Sequence, residues 1–252
     1  MVNKNDIYSL QFFVSKIKPL RSICSVSVLF LTLNSGAHAQ VLQNLQTEFR
    51  RYYKERNKEE IIEGTIYCES SGKITVVVDD PIDQWMIFEK KDLLIFYPVK
   101  QRAFRLISND PVSLPFFMLF LGVAKEDYGL TDMGYRLTGY ETNADTLVAY
   151  WDPPKQVSKI LGGFTLRYVS DRIVYTELKK ADGTILVKSV YSNHIHHGAH
   201  YYPQEILTVR YILADSTLEK VIYNNLQFGI SFPEEVLNFT IPSNLEVEEI
   251  KW

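Results

Sequence analysis

The stretch GTIYCESSGKITVVV, Gly64–Val78, decides the fold class. Two runs rich in branched and aromatic residues, Gly64–Glu69 and Lys73–Val78, flank Ser71-Gly72. Such side chains suit the pleated, half-buried surface of a strand. A Ser-Gly pair between two such runs marks a tight hairpin. Cys68 lies inside the first run and reads as a small packed residue, not a nucleophile. The pattern continues towards the C-terminus. Trp85–Phe88, Leu93–Tyr97, Ala103–Ile107, Tyr135–Gly139, Thr146–Trp151 and Phe164–Val169 all read as strands. So do Arg172–Leu178, Ile185–Tyr191, Ile206–Ile212 and Val221–Phe228. Turn signals separate them at Asp79-Asp80-Pro81, Asp152-Pro153-Pro154, Ala181-Asp182-Gly183 and Ala214-Asp215-Ser216. Closely spaced strands with short turns predict a mainly β chain with an antiparallel sheet.

Two segments depart from this pattern. Val41, Leu45, Phe49, Tyr52 and Arg56 recur at spacings of three and four, and Leu42 and Tyr53 widen the stripe. Gln43, Asn44, Gln46, Glu48, Arg50 and Arg51 lie opposite. That periodicity predicts a helix over Val41–Arg56, with Lys54–Glu60 as its solvated end. The second segment, Leu114–Leu121 (LPFFMLFL), is almost wholly apolar. Pro115 suits the first turn of a helix and Gly122 its end. A helix apolar all round is either core or a greasy lid.

Residues 1–39 read as a secretory signal peptide. Lys4, Lys16, Lys18 and Arg21 form a basic leader, Ile23–Leu33 is apolar, and Ala37-His38-Ala39 is a cleavage pattern. The apolar run is too short to span a bilayer, which needs about 20 residues. Cleavage would start the mature chain at Gln40, as one domain over 40–252. Losing a basic leader makes the remainder more acidic than the −3 of the whole chain, which argues against a nucleic-acid partner. Cys68 is then the one remaining cysteine, so an intramolecular disulfide is excluded.

Chemistry-bearing patterns are few. His194, His196, His197 and His200 cluster in HIHHGAH, as weak metal-ligand candidates, as a pH-sensitive loop, or as an exposed loop between strands. Asp79, Asp80 and Asp83 lack the full calcium-loop spacing and read as a solvated turn. Gly162-Gly163 reads as a turn. Nucleophile-elbow, phosphate-loop and H-E-x-x-H motifs are absent. The expectation is a non-enzyme without a cofactor.

Gln84–Ile107 (QWMIFEKKDLLIFYPVKQRAFRLI), followed by LPFFMLFL, resembles the periplasmic outer-membrane lipoprotein carriers, the LolA-like family. Their pattern runs through an "L-W-F-Y-N-P" strand to "P-F-M-L". Asn238–Lys251 (NFTIPSNLEVEEIK) is similar to the family's "F-T-F-x-P-P-x-G-V-x-V". The resemblance implies a strongly curved antiparallel sheet, an unclosed half-barrel. An N-terminal helix and a short apolar helix would cover its concave face. It implies a soluble periplasmic monomer that holds acyl chains of a lipoprotein or other lipid. An inner-membrane releasing transporter and an outer-membrane acceptor would be its partners. Two departures put cargo and handover in question: Asp79-Asp80-Pro81 stands where the family has Arg before Pro, and Ile95 or a neighbour replaces its Trp.

A lipid-sensing module or envelope-stress sensor on the same fold is the alternative, and a hydrolase or metal enzyme a third class. One parity per strand gives the expected cavity lining: Trp85, Ile87, Leu94, Phe96, Phe104, Leu106, Phe116, Phe117 and Phe120. A one-residue error in any strand would turn its contribution to the other face.

Overall fold

A computed structural model of the chain describes residues 43–251 apart from 90–91, 108–119, 124, 126 and 213–214. The proposed signal peptide, most of Leu114–Leu121 and both Phe116 and Phe117 lie outside the described residues.

The described chain is one 14-stranded sheet. Its first half comprises β1 (Leu45–Glu55), β2 (Lys58–Cys68), β3 (Ile74–Asp80), β4 (Gln84–Glu89), β5 (Asp92–Tyr97) and β6 (Arg102–Ile107). The second comprises β7 (Arg136–Asn143), β8 (Thr146–Asp152), β9 (Leu161–Val169), β10 (Arg172–Lys180), β11 (Ile185–His197), β12 (His200–Ile212) and β13 (Asp215–Phe228). A last strand, β14 (Val247–Lys251), follows a helical turn at Glu234–Leu237. The spatial order is β14-β6-β5-β4-β3-β2-β1-β13-β12-β11-β10-β9-β8-β7. Two meanders therefore meet where β1 pairs antiparallel with β13. Every ladder is antiparallel except β14 on β6. The sheet does not close on itself: β14 and β7 are its two edges. Irregularities interrupt the β1–β13, β2–β3, β7–β8, β9–β10 and β10–β11 ladders. Each adds local bend and twist, which curls a long sheet into a trough.

The expected N-terminal helix is a strand. Leu45, Thr47, Phe49 and Arg51 are buried in alternation along β1, with Glu48 and Arg50 exposed between them. The spacing of four that joins Leu45 to Phe49 and Tyr53 is an even number, so it fits a period of two as well as 3.6. The inward positions between them, Thr47 and Arg51, are polar and hid the alternation. Lys54–Glu60 is accordingly the β1–β2 hairpin, with Arg56 at φ 53° in its turn, and not a helix end. Gly162-Gly163 is not a turn but part of β9. A Cβ on Gly162 would lie 2.3 Å from the Lys180 carbonyl oxygen, so close strand approach demands glycine there.

Candidate functional site

In an antiparallel ladder, residues directly opposite one another project to the same face. Following the registers therefore sorts every side chain. One face, here the inner one, receives Ile66, Val76, Met86, Ile95 and Phe104 as a cross-strand row. Phe49, Val221, Tyr223, Ile206, Tyr191, Leu166, Ala149 and Trp151 extend it through β1 and the second meander. These residues form one continuous apolar cluster.

Two short described segments lie on that face. Residues 120–122 are helical, and Phe120 is wholly buried with its ring stacked 4.2 Å from Tyr223 and tilted 6.0 Å from Tyr202. Tyr128, Leu130 and Tyr135 come from the turn-rich segment that follows. Asp127 shapes it by accepting hydrogen bonds from the backbone N–H of Gly129 at 2.9 Å and Thr131 at 3.0 Å. The Tyr128 hydroxyl meets that of Tyr191 at 2.5 Å. A Cβ on Gly122 would lie 2.8 Å from the Tyr128 ring, so the two segments pack as one cover.

Among the described residues the cover stops short of the β7 edge. Leu137 pairs with Trp151, Tyr140 with Ala149 and Leu147 with Tyr168, so all three share the inner face. They are nevertheless 47%, 68% and 37% exposed. The inner apolar field thus runs out from under its cover into water.

The expected lining divides between the two faces. Phe104, Leu106 and Phe120 belong to the inner cluster. Trp85 pairs with Phe96 and Ile87 with Leu94, one residue out of step with Met86, Leu93 and Ile95, so these four lie on the outer face. There the chain between β13 and β14 straps over them: Phe239 stacks 4.7 Å from Trp85 and sits 5.7 Å from Phe96. Phe232 meets Tyr67 edge-on at 5.4 Å on the same side. Met86, Leu93 and Ile95 occupy the inner positions instead. Runs such as WMIF and LLIF are apolar on both faces, so composition alone did not fix the parity.

Sequence reading also missed a polar row. Glu60, Tyr53, Glu219, Thr208, Ser189 and Thr176 face one another in turn across six strands of the inner face. Glu219, Thr208, Ser189 and Thr176 are buried. Ser189 and Thr208 share a hydrogen bond at 2.9 Å. Arg51, one register step away, donates from Nε at 2.7 Å and Nη2 at 2.5 Å to Glu219 Oε2. Burial is the largest influence on Glu60 and raises its pKa, while the Arg51 charge opposes it.

His197 and His200 pair across the β11–β12 hairpin end, inside strands and not in the loop that was one expectation. His197 stacks 3.7 Å from Phe228, and His194 contacts the Ile173 carbonyl at 2.7 Å. Among the described residues no group of three or more His, Cys, Asp or Glu is placed to hold a metal. Cys68 is buried and its thiol is pushed up to about 12, which keeps it un-ionised. A shallow recess of about 760 Å³ lies on the outer face beside β7–β10, with Glu141, Val148 and Arg167 in its wall. Among the described residues no helix is long and apolar enough to cross a membrane.

The sequence matches no family model and no curated relative. Solved structures do match. A LolA superfamily protein of Nitrosomonas europaea shares the fold at TM-score 0.53 and 16% identity, over 77% of this chain and 89% of that one. A DUF1329 family protein of Desulfovibrio piger gives TM-score 0.58 and 12% identity, over 78% and 90%. A domain from Vibrio parahaemolyticus, described as an outer membrane lipoprotein-sorting protein, gives 0.57 and 13%, over 78% and 89%. Because the match runs through about nine-tenths of each of these proteins, what is shared is the whole LolA-like fold and not one hairpin of it.

Proposed function

We propose that this chain is a soluble carrier of the bacterial envelope, exported by cleavage of residues 1–39, that holds acyl chains of a lipoprotein or another lipid against its inner face. The observation that carries this reading is the uncovered end of the inner apolar field. Leu137, Tyr140 and Leu147 are exposed beside the buried Ala149, Trp151 and Leu166 on the same face. A field that begins under a cover and ends in water gives a hydrocarbon chain a place to start and a direction to slide. Shielding hydrocarbon is worth about 0.8 kcal/mol per methylene, so one chain supplies much of the binding free energy.

The cover is made of side-chain contacts: Phe120 on Tyr223 and Tyr202, and Tyr128 on Tyr191. Among the described residues, lifting it breaks no rung of the sheet. Cargo entry therefore separates the 120–135 region from the strands while the sheet keeps its hydrogen bonds. Handover follows when a receiver offers a better apolar site, and the chain acts as a binder, not a catalyst. The fold shared with the Vibrio lipoprotein-sorting domain supports the same reading.

Solvent extraction of protein purified from a bacterial envelope, followed by mass spectrometry, tests it. Acyl lipid in stoichiometric amount is expected, together with saturable binding of a fluorescent acyl probe by the extracted protein. An extracted protein that binds no probe would remove the carrier reading.

A further inference from the structure

Among the described residues β7 has no strand on its far side. The opposite edge of the sheet is blunted, because β14 is short and carries Glu248, Glu249 and Lys251. Short, charged edges resist pairing with another chain. β7 is longer, reads RLTGYETN, holds neither proline nor lysine, and is exposed along nearly its whole length. Its irregularity decides which residues share a face. Leu137 is opposite Trp151, Gly139 opposite Tyr150 and Tyr140 opposite Ala149, so Thr138 is an extra residue, a bulge. The Thr138 hydroxyl donates to the Tyr150 carbonyl at 3.1 Å. Leu137 and Tyr140 therefore share the inner face, while Arg136, Thr138, Gly139 and Glu141 belong to the outer one. Asn143 and Thr146 close a two-residue hairpin, so outer-face residues turn their backbone groups to β8. Leu137 and Tyr140 turn theirs to the open edge.

We propose that this edge pairs antiparallel with β7 of a second copy of this chain, about a two-fold axis between Thr138 and Gly139. Leu137 then stands opposite Tyr140 of the second copy, and Arg136 opposite its Glu141, and symmetry makes each pair twice. The backbone groups of Leu137 and Tyr140 complete the ladder. Aliphatic–aromatic and opposite-charge pairs are both favourable cross-strand neighbours. A bulge commonly spoils an edge for pairing, but two copies of the same bulge match, and every opposed pair shares a face. Sliding the strands by one residue either way sets inner side chains against outer ones. A register centred on Glu141 keeps the faces in step but puts two glutamates directly opposite, which repels. The pairing joins the inner faces of two copies into one trough at their exposed Leu137 and Tyr140. It departs from the monomer that the family resemblance implies, and it needs no ligand, so it stands apart from the carrier reading.

Sedimentation equilibrium of the processed protein without lipid tests it. A reversible equilibrium between one chain and two is expected, with no larger species. Glu141→Arg sets arginine against Arg136 at both ends and should raise the dimer dissociation constant about tenfold. Arg136→Glu should do the same, and the two changes together should restore it to within about twofold of the parent. Tyr140→Pro removes an edge-facing N–H, which an edge strand tolerates, and should leave a folded monomer with unchanged far-ultraviolet circular dichroism. A single-chain mass at every concentration, growth beyond two chains, or a dimer indifferent to charge reversal overturns the pairing and leaves the carrier reading standing.

Discussion

At the scale of single residues, the centre of the inner face sets charge against burial. Arg51 and Glu219 are 3% and 4% exposed and hydrogen-bonded through Nε and Nη2 to one carboxylate oxygen. Removing one partner of such a pair leaves an uncompensated buried charge and costs about 3–5 kcal/mol. Arg51→Met alone should therefore lower the urea midpoint sharply. Adding Glu219→Leu should recover most of the loss, because an apolar pair of similar volume avoids desolvation altogether. A double variant no more stable than Arg51→Met would show that the pair is not the source of the cost. His194 gives a second prediction. Its half-buried ring is pushed below the ordinary imidazole range, first by desolvation and further by Arg172, with its bond to the Ile173 carbonyl acting the other way. A depressed folded pKa means that the unfolded chain takes up the proton first. Stability should thus hold above about pH 6.5 and fall as the pH drops from there through the lower folded value. His194→Gln should flatten that part of a thermal-midpoint-against-pH profile; an unchanged slope would assign it to other groups.

Single strands show where sequence reading succeeds and where it stops. Every strand expected from Gly64 onwards is present, because branched and aromatic runs bounded by turn residues are a local signal. Two strands were not foreseen. β1 carries Thr47 and Arg51 at inward positions, so its period of two is masked, and partners such as Glu219 and Asn224 on β13 make those positions tolerable. β14 pairs parallel with β6 through Val247–Lys251, a contact made across the fold and not with a sequence neighbour. The candidate lining failed in the same way: which face Trp85 or Ile95 occupies depends on Phe239, more than 140 residues on. Close strand approach also leaves a mark that sequence alone cannot weigh. A Cβ on Gly64 would sit 2.0 Å from the Val77 carbonyl oxygen, beside the β2–β3 irregularity. Gly64→Ala must push β2 and β3 apart, and a loss of about 1–3 kcal/mol is expected, as for other overpacked positions. Guanidinium melts of the two proteins check it, and equal midpoints would mean that the ladder shifts at no cost.

For the molecule as a whole, the decisive property is that one sheet presents two unlike faces. The outer face is crossed by the strap whose Phe232 and Phe239 pack on Tyr67, Trp85 and Phe96, whereas the inner face leaves Leu137, Tyr140 and Leu147 exposed. If that is where hydrocarbon first lodges, Tyr140→Ser with Leu147→Ser should weaken acyl-probe binding severalfold. Stability should change little, since side chains already in water contribute little to folding. A titration in which the double variant binds as tightly as the parent would place entry elsewhere.

The join between β1 and β13 carries one more consequence, in time and not in space. Arg51 waits for Glu219, 168 residues further along the chain, before its side of the sheet is completed. Each meander assembles from neighbouring hairpins, but the seam between them requires a long chain closure, which is slow. Until it forms, β1 offers an open strand edge with Leu45 and Phe49 beside it, a template for pairing with other chains. A growing chain of this kind has to be kept from its neighbours until β13 has emerged. Its yield in a cell should depend more on how it is escorted than on how stable it finally becomes.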